Sequence, residues 1–173
     1  TFAAVPLTIT GYGYGSNGAL RNLSGNNTYS GAITLSSTSY INAYVSGETL
    51  TLSGDVGGSG RPYLIGYGNI VMSGALSFSS GTLQVAMYSS ASTVTLSGGS
   101  SNTYSGGTTL EAGILVLNKS NALNASGGNI TFNGATSNST LRFSSSDTTD
   151  YSAKFSGGGG VTIDTALQSL VFN

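Results

Sequence analysis

One five-residue pattern recurs along this chain and limits what it can fold into: an apolar residue, any residue, a large apolar residue, Ser or Asn, then Gly. Complete copies are Leu50-Thr51-Leu52-Ser53-Gly54, Ile70-Val71-Met72-Ser73-Gly74, Val94-Thr95-Leu96-Ser97-Gly98 and Ile130-Thr131-Phe132-Asn133-Gly134, and shorter forms end at Gly25 and Gly157. Each copy alternates with the period of a strand that buries one face, and closes on residues suited to a corner. The closing glycines Gly25, Gly54, Gly74, Gly98, Gly134 and Gly157 follow one another at gaps of roughly 20 to 36 residues, and most of these gaps suit one turn of a β-solenoid.

Gly, Ser, Thr and Asn make up 92 of the 173 residues, a proportion that on its own would describe a flexible linker. The apolar residues, however, occur in short alternating runs such as Val5-Pro6-Leu7-Thr8-Ile9-Thr10 and Ile114-Leu115-Val116-Leu117. Two Glu, two Lys and two Gln cannot furnish charged faces for amphipathic helices, so an all-α fold is excluded. The expectation is an all-β chain wound as a parallel β-helix. Its inward columns would be Leu, Ile, Val and Phe, its corners Gly and Asn, and its outward faces Ser and Thr. Roughly seventeen strand-like runs at two or more per coil predict about eight coils and a rod of about 40 Å.

A longer duplication accompanies the short one. Asn27-Thr28-Tyr29-Ser30-Gly31 returns as Asn102-Thr103-Tyr104-Ser105-Gly106, each shortly after Leu-Ser-Gly and shortly before a strand. The stretch from Val94-Thr95-Leu96-Ser97-Gly98 through Asn102-Thr103-Tyr104-Ser105-Gly106-Gly107-Thr108-Thr109-Leu110-Glu111-Ala112-Gly113 to Ile114-Leu115-Val116-Leu117 resembles the passenger-associated transport repeat, also called the autotransporter-associated β-strand repeat. Residues 18–54 resemble a looser copy, and the two together cover under half of the chain. The resemblance implies a right-handed parallel β-helix in the secreted passenger of a bacterial surface protein, exported through a separate C-terminal barrel. The expected location is therefore extracellular or on the bacterial outer-membrane surface.

Residues 1–173 read as a single β-helix segment, part of a longer solenoid or a stacked filament unit. Thr1–Thr10 and Gln168–Asn173 both read as strands without a polar cap, so further coils are expected to meet both ends. The expected partners are copies of the chain or adjoining β-helix modules end to end, with surface glycans as the secondary candidate. A net charge of −1 with five scattered cations gives no footprint for nucleic acid, and no apolar run reaches the length of a membrane span.

The absence of His and Cys removes the imidazole base, the thiol nucleophile, the disulfide and the usual zinc site. No catalytic, cofactor-binding or metal residue is assigned, and the chain is read as a structural module and not an enzyme. The strongest counter-candidate is Asp147 with Asp150, placed like the paired carboxylates of polysaccharide-cleaving β-helices; the simpler reading is a polar turn after Ser144-Ser145-Ser146. Gly11-Tyr12-Gly13-Tyr14-Gly15 and Gly66-Tyr67-Gly68 set rings on glycine hinges, either to stack on sugars or to pack over a corner. Gly157-Gly158-Gly159-Gly160 lacks the Lys and helix of a phosphate loop. Asn-x-Ser/Thr triplets at Asn22, Asn26, Asn118, Asn124, Asn129 and Asn138 are expected by chance in this composition. Ice binding would need Thr at one fixed face of every coil, which the uneven glycine gaps argue against.

Overall fold

Inward apolar residues alternating with outward polar ones let each length of chain lie against the length one coil earlier, and the chain does wind that way. The computed structural model describes residues 4–133 and 139–166. Its first strands are β1 (Leu7–Gly11), β2 (Leu20–Asn22), β3 (Asn27–Tyr29), β4 (Ile33–Ala43), β5 (Thr49–Leu52), β6 (Val56–Gly58), β7 (Pro62–Gly66) and β8 (Asn69–Met72). They continue as β9 (Leu76–Phe78), β10 (Leu83–Ala86), β11 (Thr93–Leu96), β12 (Thr108–Leu117), β13 (Ile130–Phe132), β14 (Ser139–Phe143), β15 (Phe155–Ser156) and β16 (Thr162–Asp164). All the pairings are parallel. The result is an all-β solenoid of about seven turns, with 3₁₀ turns only at Tyr14–Ser16 and Ser152–Lys154 among the described residues. Among the described residues no helix is long and apolar enough to cross a membrane.

The strands form three stacks. The first is β1, the start of β4, β6 and β9. The second is β2, the end of β4, β7, β10, the start of β12, β13 and β15. The third is β3, β5, β8, β11, the end of β12, β14 and β16. Strands β4 and β12 are long because each runs through a corner and serves two stacks.

Register turns the alternation into columns. In the third stack Leu50, Ile70, Val94, Leu115 and Leu141 lie one above another, as do Leu52, Met72, Leu96, Leu117 and Phe143. In the second, Ile41, Leu64, Val85, Leu110 and Phe132 do the same. All of these are buried and belong to one continuous core. Fully burying a side chain of this size stabilises by about 1.5–3 kcal/mol, so the columns supply the main force holding the coils together.

Two sequence expectations change in detail. Register pairs run from the short step between Val56 and Leu76 to the long one between Gly11 and Ser39, so the coils are more even in length than the glycine gaps. Those gaps mixed stacks: Leu52, Met72 and Leu96 precede their glycines in the third stack, whereas Phe132 and Phe155 belong to the second. Gly134 and Asn138 lie outside the described residues. The coil number is nearer seven than eight because the early coils use three strands each, and seven coils at the inter-strand spacing give a rod of about 34 Å. The duplicated pentapeptides likewise occupy different faces. Asn27–Tyr29 is a third-stack strand, whereas Asn102 and Tyr104 lie buried above the first stack, so the repeat is a device for turning a corner and not a label for one face. The expected terminal strand at Gln168–Asn173 and residues Thr1–Ala3 lie outside the described residues.

Candidate functional site

Asp147 and Asp150 do not form a convergent pair. Asp147 is fully buried. Its Oδ2 accepts the Ala122 N–H (3.0 Å) and the Tyr151 hydroxyl (2.9 Å), and its Oδ1 accepts the Thr149 N–H (3.1 Å). Asp150 is exposed, and its Oδ1 accepts the Ser152 N–H at 2.9 Å. The turn reading therefore holds, with Asp147 as an internal bracket. Asp147→Ala strands two fully buried donors, each costing about 1–3 kcal/mol, and should lower stability by about 3 kcal/mol in urea unfolding. Asp150→Ala, at an exposed site where the hydrogen bond from Ser152 is lost, should cost clearly less than Asp147→Ala in the same measurement.

Asp147 is the last member of a polar line that prolongs the first stack after β9 ends. Asn102 Oδ1 accepts the Leu76 N–H (2.9 Å) while its Nδ2 donates to the Ala122 carbonyl (2.7 Å), so a side-chain amide replaces a peptide unit in the ladder. A second buried polar group is Lys119. It follows Leu117-Asn118 at the register position where earlier coils carry Gly54, Gly74 and Gly98. Its Nζ donates to the Gly74 carbonyl (3.2 Å) and the Ser100 carbonyl (2.9 Å). Burial holds its ammonium below the ordinary lysine range, opposed by the charge of Asp55. Both residues pin neighbouring coils, because a buried donor or acceptor left unpaired would be costly.

The outer surface of the second stack carries tyrosines in columns. Tyr40, Tyr63 and Gln84 are direct register partners. The Tyr12 ring meets Tyr40 edge-on with centroids 4.8 Å apart, and Tyr40 lies 4.5 Å from Tyr63 at a 33° tilt. Four residues further along each coil, Tyr44, Tyr67 and Tyr88 continue the same register; Tyr67 and Tyr88 meet edge to face at 5.2 Å, and the Arg21 guanidinium lies 4.9 Å over Tyr44. Glu111, in the β12 bulge opposite β10, accepts the Tyr63 hydroxyl (3.1 Å) and the Gln84 side-chain amide. Partial burial and the adjacent Glu111 carboxylate push the Tyr63 phenol up to about 12, so it goes on donating to Glu111 into the alkaline range.

Of the hinge tyrosines singled out in the sequence, Tyr12 and Tyr67 thus belong to ladders, whereas Tyr14 is 97% exposed on its own hinge. Tyr40, Tyr44, Tyr63 and Tyr88 carried an overlooked signal. The interval from Tyr40 to Tyr63 equals that from Tyr44 to Tyr67, and the interval from Tyr63 to Gln84 equals that from Tyr67 to Tyr88, each being one coil length. On the third stack, Thr49, Thr51, Thr93 and Thr95 face outward in two columns, but Asn69, Val71, Ile114, Val116 and Arg142 interrupt them. Thr does not occupy one position in every coil. Arg142 instead pairs with Asp164 at 2.6 Å; the Ala166 N–H and this guanidinium together hold the Asp164 carboxyl below its usual range.

The solenoid is open at the coil formed by β2 and β3, each of which pairs on one side only among the described residues. Leu20, Leu23, Tyr29 and Leu50 line a cavity of about 250 Å³ there, and Leu23 is 60% exposed. No protein family, curated protein or solved structure matches the chain.

Proposed function

We propose that this chain is a non-enzymatic structural module, a stalk, adhesin shaft or filament-forming length of β-helix that stacks end to end on further coils. The observation that carries the reading is the open coil end. Among the described residues, strands β2 and β3 present one unpaired edge each, over apolar side chains that another parallel coil would cover. Stacking there would extend the ladders and close the cavity beside Leu20, Leu23 and Tyr29. The repeat's resemblance to passenger-associated transport repeats supports placing the module on a bacterial surface or in the extracellular space, as part of an autotransporter passenger.

Edge strands are protected naturally by charged side chains, lysine above all; β2 has the single Arg21 and β3 has none, so the test is to add lysines. At high protein concentration the parent should form rods in multiples of about 34 Å by electron microscopy, with matching species in sedimentation velocity. Leu23→Lys with Thr28→Lys should abolish them while leaving the unfolding midpoint nearly unchanged. A parent that stays as single rods at the highest attainable concentration would overturn the proposal.

A further inference from the structure

The tyrosine columns are half-open to solvent in a way that coil stacking does not use. Tyr12, Tyr67 and Tyr88 are 52%, 50% and 48% exposed on the side of the rod, Tyr12 in the first coil and the other two in coils further along. Together with Tyr40 and Tyr63 they cover four successive coils, about 14 Å along the axis at the inter-strand spacing. Between and beside the rings lie hydrogen-bonding groups. Glu111 and Gln84 terminate one column. Beside Tyr67 a crevice of about 200 Å³ is lined by Ser46, Asn69, Ser89 and Ser92. Asn69 Oδ1 is engaged by Thr93, but its Nδ2 has no hydrogen-bond partner among the described residues.

From this arrangement we infer that the tyrosine face binds a neutral, extended glycan of β-1,4-linked pyranoses. A tyrosine offers an apolar ring and a polar tip, and an all-equatorial pyranose offers the counterpart, a flat C–H face rimmed by hydroxyls. The extended β-1,4 ribbon suits a straight platform of rings repeated at coil intervals. Charge points the same way: the rings and the crevice carry no charge, and the two charged side chains beside them are of opposite sign and already engaged, Glu111 by Tyr63 and Gln84 and Arg21 over Tyr44, so the face has no excess charge to select an ionic ligand. Two ring columns divided by polar groups, in place of one continuous apolar patch, fit a sugar better than a second copy of the chain. The inference is independent of end-to-end stacking.

The chain has ten tyrosines and no tryptophan, so its emission comes from tyrosine alone, and Tyr12, Tyr40, Tyr63, Tyr67 and Tyr88 of this face are half of the emitters. Titration with cellohexaose and chitohexaose, by fluorescence and calorimetry, should give saturable binding. Tyr67→Ala and Tyr40→Ala should each weaken it by about tenfold or more, as removal of a central aromatic anchor does. Tyr67→Phe keeps the ring and the packing and should lose less, while Thr95→Ala on the third stack should change nothing. Unfolding midpoints measured alongside identify any variant that has lost its fold. The inference is overturned if neither glycan binds the parent, if Thr95→Ala and Tyr67→Ala weaken binding equally, or if the tyrosine variants abolish side-by-side self-association and leave glycan binding intact.

Discussion

Gly54→Val should destabilise the solenoid by about 3 kcal/mol or more, the upper range for overpacking, because there is no room for a single added carbon. A Cβ at Gly54 would lie 2.2 Å from the Gly31 carbonyl oxygen, one at Gly74 2.2 Å from the Gly54 oxygen, and one at Gly31 2.0 Å from the Val5 oxygen. The three glycines stack directly, each against the backbone of the coil before it, and none has a left-handed φ. Their requirement is close approach of main chain to main chain. Gly98 and Gly157 close the same sequence pattern and differ, since their φ values of 84° and 101° add a conformational demand.

The cost at Gly54 should not relax locally. The obstacle is the Gly31 backbone carbonyl, in the coil joined to that of Gly54 by the pairing of Tyr29 with Leu52, so admitting the side chain means parting two coils and the ladder between them. Gly99→Ala is the control. Nothing lies within 4 Å of its added Cβ and its φ is ordinary, so stability should hold or rise slightly. Urea unfolding of the two variants checks the claim: a loss of under about 1 kcal/mol at Gly54 would mean the coils slide freely, contrary to close-packed columns.

The glycine column shows which parts of this fold a sequence displays and which it hides. Leu52-Ser53-Gly54, Met72-Ser73-Gly74 and Leu96-Ser97-Gly98 were legible as stacked units because one column imposes one pattern: an inward apolar residue, then a turn, then a residue without a side chain. The same requirement exists at other corners, and that is why Phe155-Ser156-Gly157 has the pattern without belonging to that column. Local sequence records the need for a corner but not which corner. Asn102 and Asp147 were illegible as interior residues for a related reason. Burial of a polar group is acceptable only when its partners are in place, and those partners, Leu76 and Ala122, are supplied by neighbouring coils. The tyrosine columns were half-legible. Glycine hinges drew attention to Tyr12 and Tyr67, while the coil-length spacing that unites them with Tyr40, Tyr63 and Tyr88 becomes meaningful only once the register is known.

Alkaline pH should unfold this protein steeply. Tyr104 is fully buried, stacked on Phe78 with centroids 4.8 Å apart and hydrogen-bonded to Thr108 at 2.7 Å. Tyr151 is equally buried, donating to Asp147 and accepting the Leu123 N–H at 3.2 Å. Burial raises both phenols well above the ordinary tyrosine value, and for Tyr151 the Asp147 carboxylate adds to the effect. The sign follows from proton counts. Below about pH 10 both states hold these protons and stability is unaffected by them; above it the unfolded chain releases both while the folded chain retains them, and the partly buried Tyr63 adds a smaller contribution of the same sign up to about pH 12. The two buried phenols should therefore lower stability by up to about 2.7 kcal/mol per pH unit, about 1.36 for each, until their folded-state values are reached. Lys119 acts in the opposite sense. Its lowered folded value means that the unfolded chain binds the extra proton, so it makes stability rise with pH until its ordinary value near 10.5 and adds nothing beyond. Urea midpoints measured from about pH 8 to about pH 11.5 should stay level or rise slightly and then drop sharply. Tyr104→Phe keeps the ring stack and should remove about one proton from the slope, whereas a slope unchanged in Tyr104→Phe would show that this phenol ionises freely in the folded solenoid and that its coil is open to water.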